Sequence, residues 1–214
     1  MRLDPLSRLV PVFVLWLSSL PALALAQEGP PPAPVATPVE ATAHRHLGFF
    51  LHLDLGGGYL YSSTSLGNVT LSAKGASLLL SVAVGGAVAE NTILAGELWG
   101  SAAPSPSGVT GSDATMGLSA IGLNVTHYFM PANVFLSFTP SATLLTIDNG
   151  SGAVGRTQVG VGARLAIGKE WWVGDHWGIG LAAEGFFGIN RDQGTDPPTW
   201  STFGGGLVFS ATYN

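Results

Sequence analysis

The sequence predicts an all-β fold, an eight-stranded antiparallel up-and-down β-barrel that spans a membrane. Only 10% of the 214 residues are charged, whereas soluble domains carry about 25%. After the first 26 residues no stretch is long and apolar enough for a spanning helix, which needs roughly 20 such residues. From Gly48 onward, apolar and polar residues alternate with a period of two, which is typical of strands. Because lipid tolerates no unpaired backbone groups, a closed barrel is the fold that remains.

The N-terminal residues predict export from the cytoplasm. Arg2 and Arg8 mark a short charged start, residues 9–25 are apolar, and Ala24-Leu25-Ala26 matches the small-x-small pattern of signal peptidase sites. We interpret residues 1–26 as a signal peptide rather than an anchor helix, since two prolines interrupt the apolar run. The chain has no cysteine, which excludes a lipid-anchor site and disulfides. Removal of the predicted signal peptide leaves 6 basic and 12 acidic residues, and this excess of acidic residues argues against a nucleic-acid partner.

The rest of the chain divides into two parts. Residues 27–46 (QEGPPPAPVATPVEATAHRH) are rich in proline and alanine and lack a hydrophobic period. They predict an extended or disordered periplasmic tether. Its end, His44 to His46, is expected to be solvated, with weak metal binding by the His-x-His pair as the alternative. Residues 47–214 form the predicted barrel.

Eight segments of the barrel region carry the alternation, and the connections between them differ in length. The segments are 48–61, 70–88, 92–102, 114–130, 133–146, 156–173, 176–190 and 198–213. Three connections are tight, at 89–91, 131–132 and 174–175. The other four are long and polar: SSTSLGNVT, APSPSGVTGSD, DNGSGAVG and RDQGTDPP. Outer-membrane barrels combine short periplasmic turns with long outer loops. An even number of strands then puts both termini in the periplasm.

The alternation also predicts which face of each strand meets lipid. Leu53 and Leu55 share one face of the first segment, while His52 and Asp54 share the other. A lipocalin-like soluble barrel hides its apolar face inside, and its exterior would need many more charged residues than this chain has. A lipid-facing apolar exterior with a small, polar interior is therefore the better interpretation.

Five aromatic residues near the predicted turns are expected to form an interface girdle. Such rings favour the membrane–water boundary because one edge is apolar and the other is wet. The five residues are Tyr128, Phe129, Trp171, Trp172 and Trp177.

Six ionisable residues are expected to point into the lumen: His52, Asp54, Glu97, Arg164, Glu170 and Glu184. Arg164 lies either opposite Glu184 or one pair away on the diagonal, and both spacings suit a buried ion pair. One hypothesis is a structural polar network that fills a narrow barrel. The other is a gate, in which Arg164 changes carboxylate partners and opens a thin water path. Carboxylates outnumber cations in this set, so one of them either carries a proton or holds a cation.

Several segments carry a family resemblance. FGGGLVFSATYN (203–214) resembles the C-terminal strand that the barrel-assembly machinery recognises, with Asn214 following the aromatic residue that normally ends it. Residues 47–214 as a whole resemble the small OmpA/OmpX-type outer-membrane barrels. THYFMPANVFLS (126–137) and GKEWWVGDHWGIG (168–180) are similar to segments of uncharacterised bacterial outer-membrane β-barrel proteins. The resemblance implies a monomer in a Gram-negative outer membrane, with lipid, lipopolysaccharide and the assembly machinery as partners.

The sequence gives little sign of catalysis or of a cofactor. Two small-barrel enzyme families act on lipid A, one with a His-x-Ser pair and one with His, Asp and Ser. His127 has no serine two positions on, so no base and nucleophile are paired in the sequence. The triglycine runs at 56–58 and 204–206 precede no helix, so they predict relief of crowding at barrel closure rather than nucleotide binding. No catalytic, cofactor-binding or metal-binding residue is predicted.

These observations favour an integral outer-membrane protein with a structural or surface-interaction role and no open solute pore. Eight strands leave an interior just wide enough for side chains. A narrow gated channel is the second hypothesis and an envelope-lipid-modifying enzyme is the third.

Overall fold

The computed structural model describes residues 45–111, 113–151 and 154–214. The predicted signal peptide and most of the predicted tether lie outside these residues. These residues contain nine strands: β1 (Phe49–Leu66), β2 (Val69–Ala89), β3 (Thr92–Pro104), β4 (Thr115–Phe129), β5 (Val134–Asp148), β6 (Val154–Arg156), β7 (Gly160–Trp172), β8 (Trp177–Arg191) and β9 (Thr199–Tyr213). Within the described ranges, no helix is long and apolar enough to cross a membrane.

The strands form one closed antiparallel sheet. Strands that follow one another in the chain pair with each other except β6 and β7, and β1 pairs with β9 to complete the ring. The three-residue β6 pairs only with the end of β5, and β7 pairs with β5 from Thr143 back to Val134. β6 and β7 therefore act as one barrel strand. The predicted fold class, an eight-stranded antiparallel barrel, is confirmed.

Outward and inward side chains alternate along the strands as predicted. Leu55, Leu80 and Leu181 lie on the exterior and are 55%, 49% and 49% exposed. Their neighbours Asp54 and Ser81 point inward and are each only 2% exposed. A soluble protein does not cover its surface with such residues, since large exposed apolar patches mark contact with another apolar phase. The exterior therefore suits the hydrocarbon of a bilayer.

The first predicted loop, residues 62–70, is not a loop. β1 continues to Leu66 and β2 begins at Val69, so that only Gly67 and Asn68 form the turn. Gly67 has a φ of +60°, the left-handed conformation that a tight hairpin turn requires and that glycine adopts without a steric penalty.

The polar residues of this hairpin misled the prediction because they are interior strand residues. Ser62 and Thr64 are buried. The Ser62 hydroxyl lies 2.8 Å from that of Thr202, and the Thr64 hydroxyl donates to the Thr199 carbonyl at 2.9 Å. Serine and threonine therefore continue the inward polar pattern of β1 beyond the point where the sequence predicts the strand to end.

The two ends of the barrel differ in construction. Three of the short turns, at residues 90–91, 130–133 and 173–176, lie at one end, which we call the turn end. The chain enters there, because the Asn91 amide donates to the His46 carbonyl at 3.3 Å. It finishes there too, because the Asn214 amide donates to the His176 carbonyl at 2.9 Å. The hairpin tip and the longer connections lie at the opposite, loop end.

The glycine runs allow β1 and β9 to close the barrel. Gly58 of β1 lies opposite Gly206 of β9. A Cβ on Gly58 would lie 2.3 Å from the Gly205 carbonyl oxygen and 2.9 Å from a methyl group of Leu79. A Cβ on Gly206 would lie 2.2 Å from the Gly57 carbonyl oxygen. Any larger residue would push the strands apart, which confirms the predicted relief of crowding.

Arginine at Leu80 or Leu181 is expected to destabilise the barrel by about 2–4 kcal/mol, because both side chains leave the exterior of central strand segments and a charge there must enter hydrocarbon. The free energy of unfolding, measured by denaturant titration in lipid bilayers, checks this. Ser65→Arg is the control, since Ser65 is exposed near the hairpin tip and should tolerate the charge. Equal stabilities for all three variants would contradict the lipid-facing assignment.

Candidate functional site in the barrel lumen

Arg164 of β7 lies at the centre of the lumen and is 3% exposed. Its Nη1 donates to Glu97 Oε1 at 2.5 Å and its Nη2 donates to Asp54 Oδ2 at 2.6 Å. Its Nε donates to Glu184 Oε2 at 2.9 Å, and its Nη2 contacts the same oxygen. A buried charge is costly unless it is paired and hydrogen-bonded. The Arg164 guanidinium meets this requirement because its N–H groups donate to three carboxylates.

The register of the strands sets which carboxylates reach Arg164. Arg164 lies opposite Phe186, and Glu184 lies opposite Ala166, so Arg164 and Glu184 are diagonal neighbours on the inner face. Asp54 and Glu97 reach the same guanidinium from β1 and β3 across the lumen. The diagonal arrangement is one of the two that the sequence left open.

Glu97 extends the network toward β4 and β5. Its Oε2 accepts a hydrogen bond from Asn124 Nδ2 at 2.9 Å and another from the Thr139 hydroxyl. The same Asn124 nitrogen lies 2.6 Å from the Ser137 hydroxyl oxygen. Buried polar groups stabilise a single arrangement when they are all satisfied, and these contacts fix Glu97 beside Arg164.

A second branch leads from Asp54 toward the turn end. His52 Nε2 lies 2.9 Å from Asp54 Oδ1, so this ring nitrogen carries a proton toward the carboxylate. His52 Nδ1 lies 2.7 Å from the Thr212 hydroxyl, which donates to Glu170 Oε1 at 2.6 Å. His52 Nδ1 is also 3.5 Å from Glu170 Oε1. The side chains therefore form a continuous polar chain from Arg164 to Glu170.

The network joins all eight barrel strands. Ser81 of β2 donates to Asp54 Oδ2 at 2.8 Å and completes the set. Its members, in chain order, are His52, Asp54, Ser81, Glu97, Asn124, Ser137, Thr139, Arg164, Glu170, Glu184 and Thr212. We call this set the lumen network.

Apolar layers close the lumen on both sides of the network. On the loop side, inward side chains that are at most 1% exposed fill the cross-section; they are Leu60, Leu79, Met116, Leu118 and Leu145. Trp99 and Phe186 pack in the same layer, with ring centroids 5.3 Å apart. On the turn side, Phe50, Tyr128 and Phe135 are at most 2% exposed. The interior is a packed core with a polar centre.

The structure places the six predicted lumen residues together in one network. The predicted interface aromatics divide into two groups. Phe129, Trp171 and Trp177 are 51%, 48% and 44% exposed on the exterior, which suits a girdle. For Tyr128 and Trp172 the predicted girdle position is wrong. Tyr128 is 1% exposed in the interior, and the ring of Trp172 lies 5.0 Å from that of His46. Consecutive strand residues face opposite sides, so only one of each adjacent pair can meet lipid.

His46 is a second correction. The sequence predicts a solvated end at this residue, but the side chain is fully buried. Its ring stacks on Tyr128 at the turn end, with centroids 3.5 Å apart. His46 lies before the first alternating segment, and no periodic pattern marks it as an inward residue. The polar partners Asn124, Thr139 and Thr212, by contrast, sit at inward positions of their strands and could have been found by extending the alternation.

His127 lies on the exterior near the turn end. Its Nδ1 is 2.9 Å from the Thr92 hydroxyl, and its ring meets Phe129 edge-on at 4.8 Å. Among the described residues, no carboxylate forms an ion pair or hydrogen bond with this imidazole. A base that activates a hydroxyl needs a third group to orient it, so these contacts fit packing at the membrane interface.

Known structures share this fold. No family model and no curated protein matches the sequence. Neisserial surface protein A is 17% identical, with 78% of this chain and 96% of that chain covered at a TM-score of 0.54. Ail of Yersinia pestis is 11% identical, with 77% of this chain and 99% of that chain covered at a TM-score of 0.40. Outer membrane protein AlkL is 11% identical, covering 88% and 96% at 0.46. The first likeness shows that the chain has the fold of a small outer-membrane barrel.

Removing one partner of the Arg164–Glu184 pair is expected to lower the free energy of unfolding by about 3–5 kcal/mol, because the remaining buried charge loses a partner. Arg164→Ala should cost more than Glu184→Ala, since it leaves Glu97 and Glu184 without a cationic partner and Asp54 with His52 alone, whereas Arg164 keeps Asp54 and Glu97 when Glu184 is removed. The double variant should lose less than the sum. Unfolding free energies in bilayers check the cycle. Strictly additive losses would mean that the two side chains do not interact.

Proposed function

We propose that this chain is an integral protein of the outer membrane, with both termini in the periplasm, a structural or surface-interaction role and no open solute pore. The observation that carries the proposal is the packed lumen, in which Arg164 is held by three carboxylates between two apolar layers. A barrel that conducts solutes keeps a water-filled interior. This barrel fills the same volume with side chains.

The exterior supports the membrane location. Exposed leucine, valine, isoleucine and phenylalanine side chains surround the barrel, and aromatic rings at Phe129, Trp171 and Trp177 lie near the turn end. Aromatic residues of this kind favour the interface. The turn end holds both described chain ends, and short turns face the periplasm in outer-membrane barrels. This geometry supports periplasmic termini.

The loop end supports a surface-interaction role. The β1–β2 hairpin carries Leu66, Val69 and Leu71 near its tip, which are 59%, 59% and 49% exposed. In the register of the hairpin, Leu66 lies opposite Val69 and Thr64 lies opposite Leu71. These apolar side chains therefore continue the inward face of the strands beyond the packed lumen, where lipid does not cover them. An exposed apolar patch of this kind suits contact with another molecule.

The channel hypothesis requires Arg164 to release its partners. Opening a path along the lumen would leave buried carboxylates without their ion-pair partner. It would also displace the apolar layers on both sides. Each unpaired buried charge costs several kcal/mol. The geometry therefore favours a closed lumen over a narrow gated channel.

The chain should fractionate with outer membranes as a heat-resistant β-barrel. Planar-bilayer recordings on the protein purified from this fraction then test whether the lumen is closed. The wild type and Arg164→Ala should show no conductance above that of the bare bilayer, because the apolar layers remain when the guanidinium is removed. Leu80→Ala, which changes only the exterior, is the matched control. A gated channel would give brief openings in the wild type that lengthen in Arg164→Ala. Recovery in the soluble periplasmic fraction would overturn the membrane assignment itself.

A further inference from the structure

The segment before β1 is fastened across the turn end of the barrel by one histidine. His46 is fully buried, although it precedes the first strand. Its ring stacks on Tyr128, with centroids 3.5 Å apart and planes 14° from parallel, and lies 5.0 Å from the ring of Trp172. The adjoining Leu47 is 54% exposed. His46 is thus the side chain that anchors this segment.

Two asparagine side chains hold the His46 ring. Nε2 lies 2.8 Å from Asn133 Oδ1, and Asn214 Nδ2 lies 2.8 Å from Nδ1. Asn133 is itself oriented by the Glu170 carbonyl, which accepts a hydrogen bond from Asn133 Nδ2 at 3.3 Å. Nε2–H therefore donates to Asn133 and Nδ1 accepts from Asn214. This arrangement uses the neutral imidazole, and among the described residues the ring has neutral amides and no carboxylate as side-chain hydrogen-bond partners.

The backbone adds to the attachment. The His46 amide donates to Asn91 Oδ1 at 3.1 Å, and the Asn91 amide returns a bond to the His46 carbonyl at 3.3 Å. The Ala87 amide donates to the Gly48 carbonyl at 2.8 Å. We call the contacts of residues 46–48 with Tyr128, Asn91, Asn133 and Asn214 the clasp. It joins the start of the barrel to the turn after β2, the turn after β4 and the end of β9.

We propose that the clasp is a proton-sensitive release for the N-terminal segment. With a neutral His46 the segment is fixed over the turn end. Protonation of Nδ1 places a charge in a fully buried site whose side-chain hydrogen-bond partners are neutral amides, and this charge releases the segment into water. Phe50, Tyr128 and Phe135 remain in place beneath the clasp, so that release detaches the segment without opening a path through the lumen. The proposal stands apart from the closed-barrel function, since either can hold without the other.

The surroundings of His46 favour the neutral form. Burial lowers the pKa of His46, hydrogen bonding of the protonated ring to the amide oxygens of Asn133 and Asn214 partly opposes this, and the charge of His52 lowers it further. The other titratable groups nearby are Tyr128, against the ring, and His176, which reaches the Asn214 carbonyl. Arg45 next to it pairs with Glu90 at 3.4 Å on the surface.

The direction of the pH effect follows from the lowered pKa. A free segment binds a proton at the ordinary histidine pKa of 6.5, whereas the clasped segment binds it only at lower pH. The stability of the clasp is therefore complete above pH 6.5 and falls as the pH drops through 6.5 toward the lowered value.

A spin label at Leu47 tests the proposal directly. The chain has no cysteine, so Leu47→Cys gives one labelling site beside His46. In the full chain in bilayers, the label should be immobilised at pH 7.5 and should gain a mobile spectral component, reversibly, as the pH falls below 6.5. His46→Gln keeps a donor and acceptor but cannot titrate, so its spectrum should not change with pH. His46→Ala should be mobile at every pH.

Two controls make the outcome decisive. His176→Gln removes the other histidine of the turn end and should leave the transition unchanged, and the β-sheet circular dichroism of every variant confirms that the barrel is intact. A label that stays immobile in the wild-type background from pH 7.5 down to the lowest pH at which circular dichroism still shows an intact barrel would overturn the proposal. So would an unchanged transition in His46→Gln, or a transition that disappears in His176→Gln.

Discussion

Ion pairs and hydrogen bonds centred on the Arg164 guanidinium link side chains from all eight barrel strands. A cation in a low-dielectric interior is tolerated only when opposite charges and hydrogen bonds surround it. Glu97, Asp54 and Glu184 supply them from three other strands, and their own partners extend the contacts to all eight. Because a one-residue slip would turn an inward side chain outward, the network requires one register around the ring. Closure of the sheet and the packing of the lumen thus depend on the same ion cluster.

The barrel separates this polar centre from its surroundings in two directions. Radially, the exterior is apolar, so that lipid meets leucine and phenylalanine while charge stays inside. Along the axis, the apolar layers around Leu79 and Tyr128 cover the network at each end. At the loop end, the hairpin tip exposes Leu66 and Val69 beyond the packed interior. At the turn end, His46 covers Tyr128. The two ends thus differ in chemistry: the loop end offers an apolar surface, and the turn end holds a titratable contact.

The sequence predicted the fold and the inward charges because both depend on a period of two. The partners of each charge depend on long-range register, so the sequence left the Arg164–Glu184 geometry open and could not connect Arg164 with Asp54 across the lumen. Composition misled in the β1–β2 hairpin, where inward serine and threonine looked like loop residues. The clustering of aromatic residues near turns led to a wrong placement of Tyr128 in the interface girdle. The alternation does not allow Tyr128 and its neighbour Phe129 to point outward together. His46 lies outside any periodic pattern, and only its tertiary contacts show that it is buried.

Nitrogen-15 NMR of the Arg164 guanidinium in lipid bilayers measures whether this charge is held by its carboxylates. A guanidinium fixed by Asp54, Glu97 and Glu184 should not rotate freely about its Cζ–N bonds, and its protons should exchange slowly with water. We expect separate Nη1 and Nη2 resonances for Arg164, with proton exchange much slower than for the exposed Arg45, and we expect the two resonances to merge in Glu97→Gln. A single averaged, rapidly exchanging Nη signal in the wild-type barrel would mean that the lumen is wet and that the Arg164 charge is not held by its carboxylates.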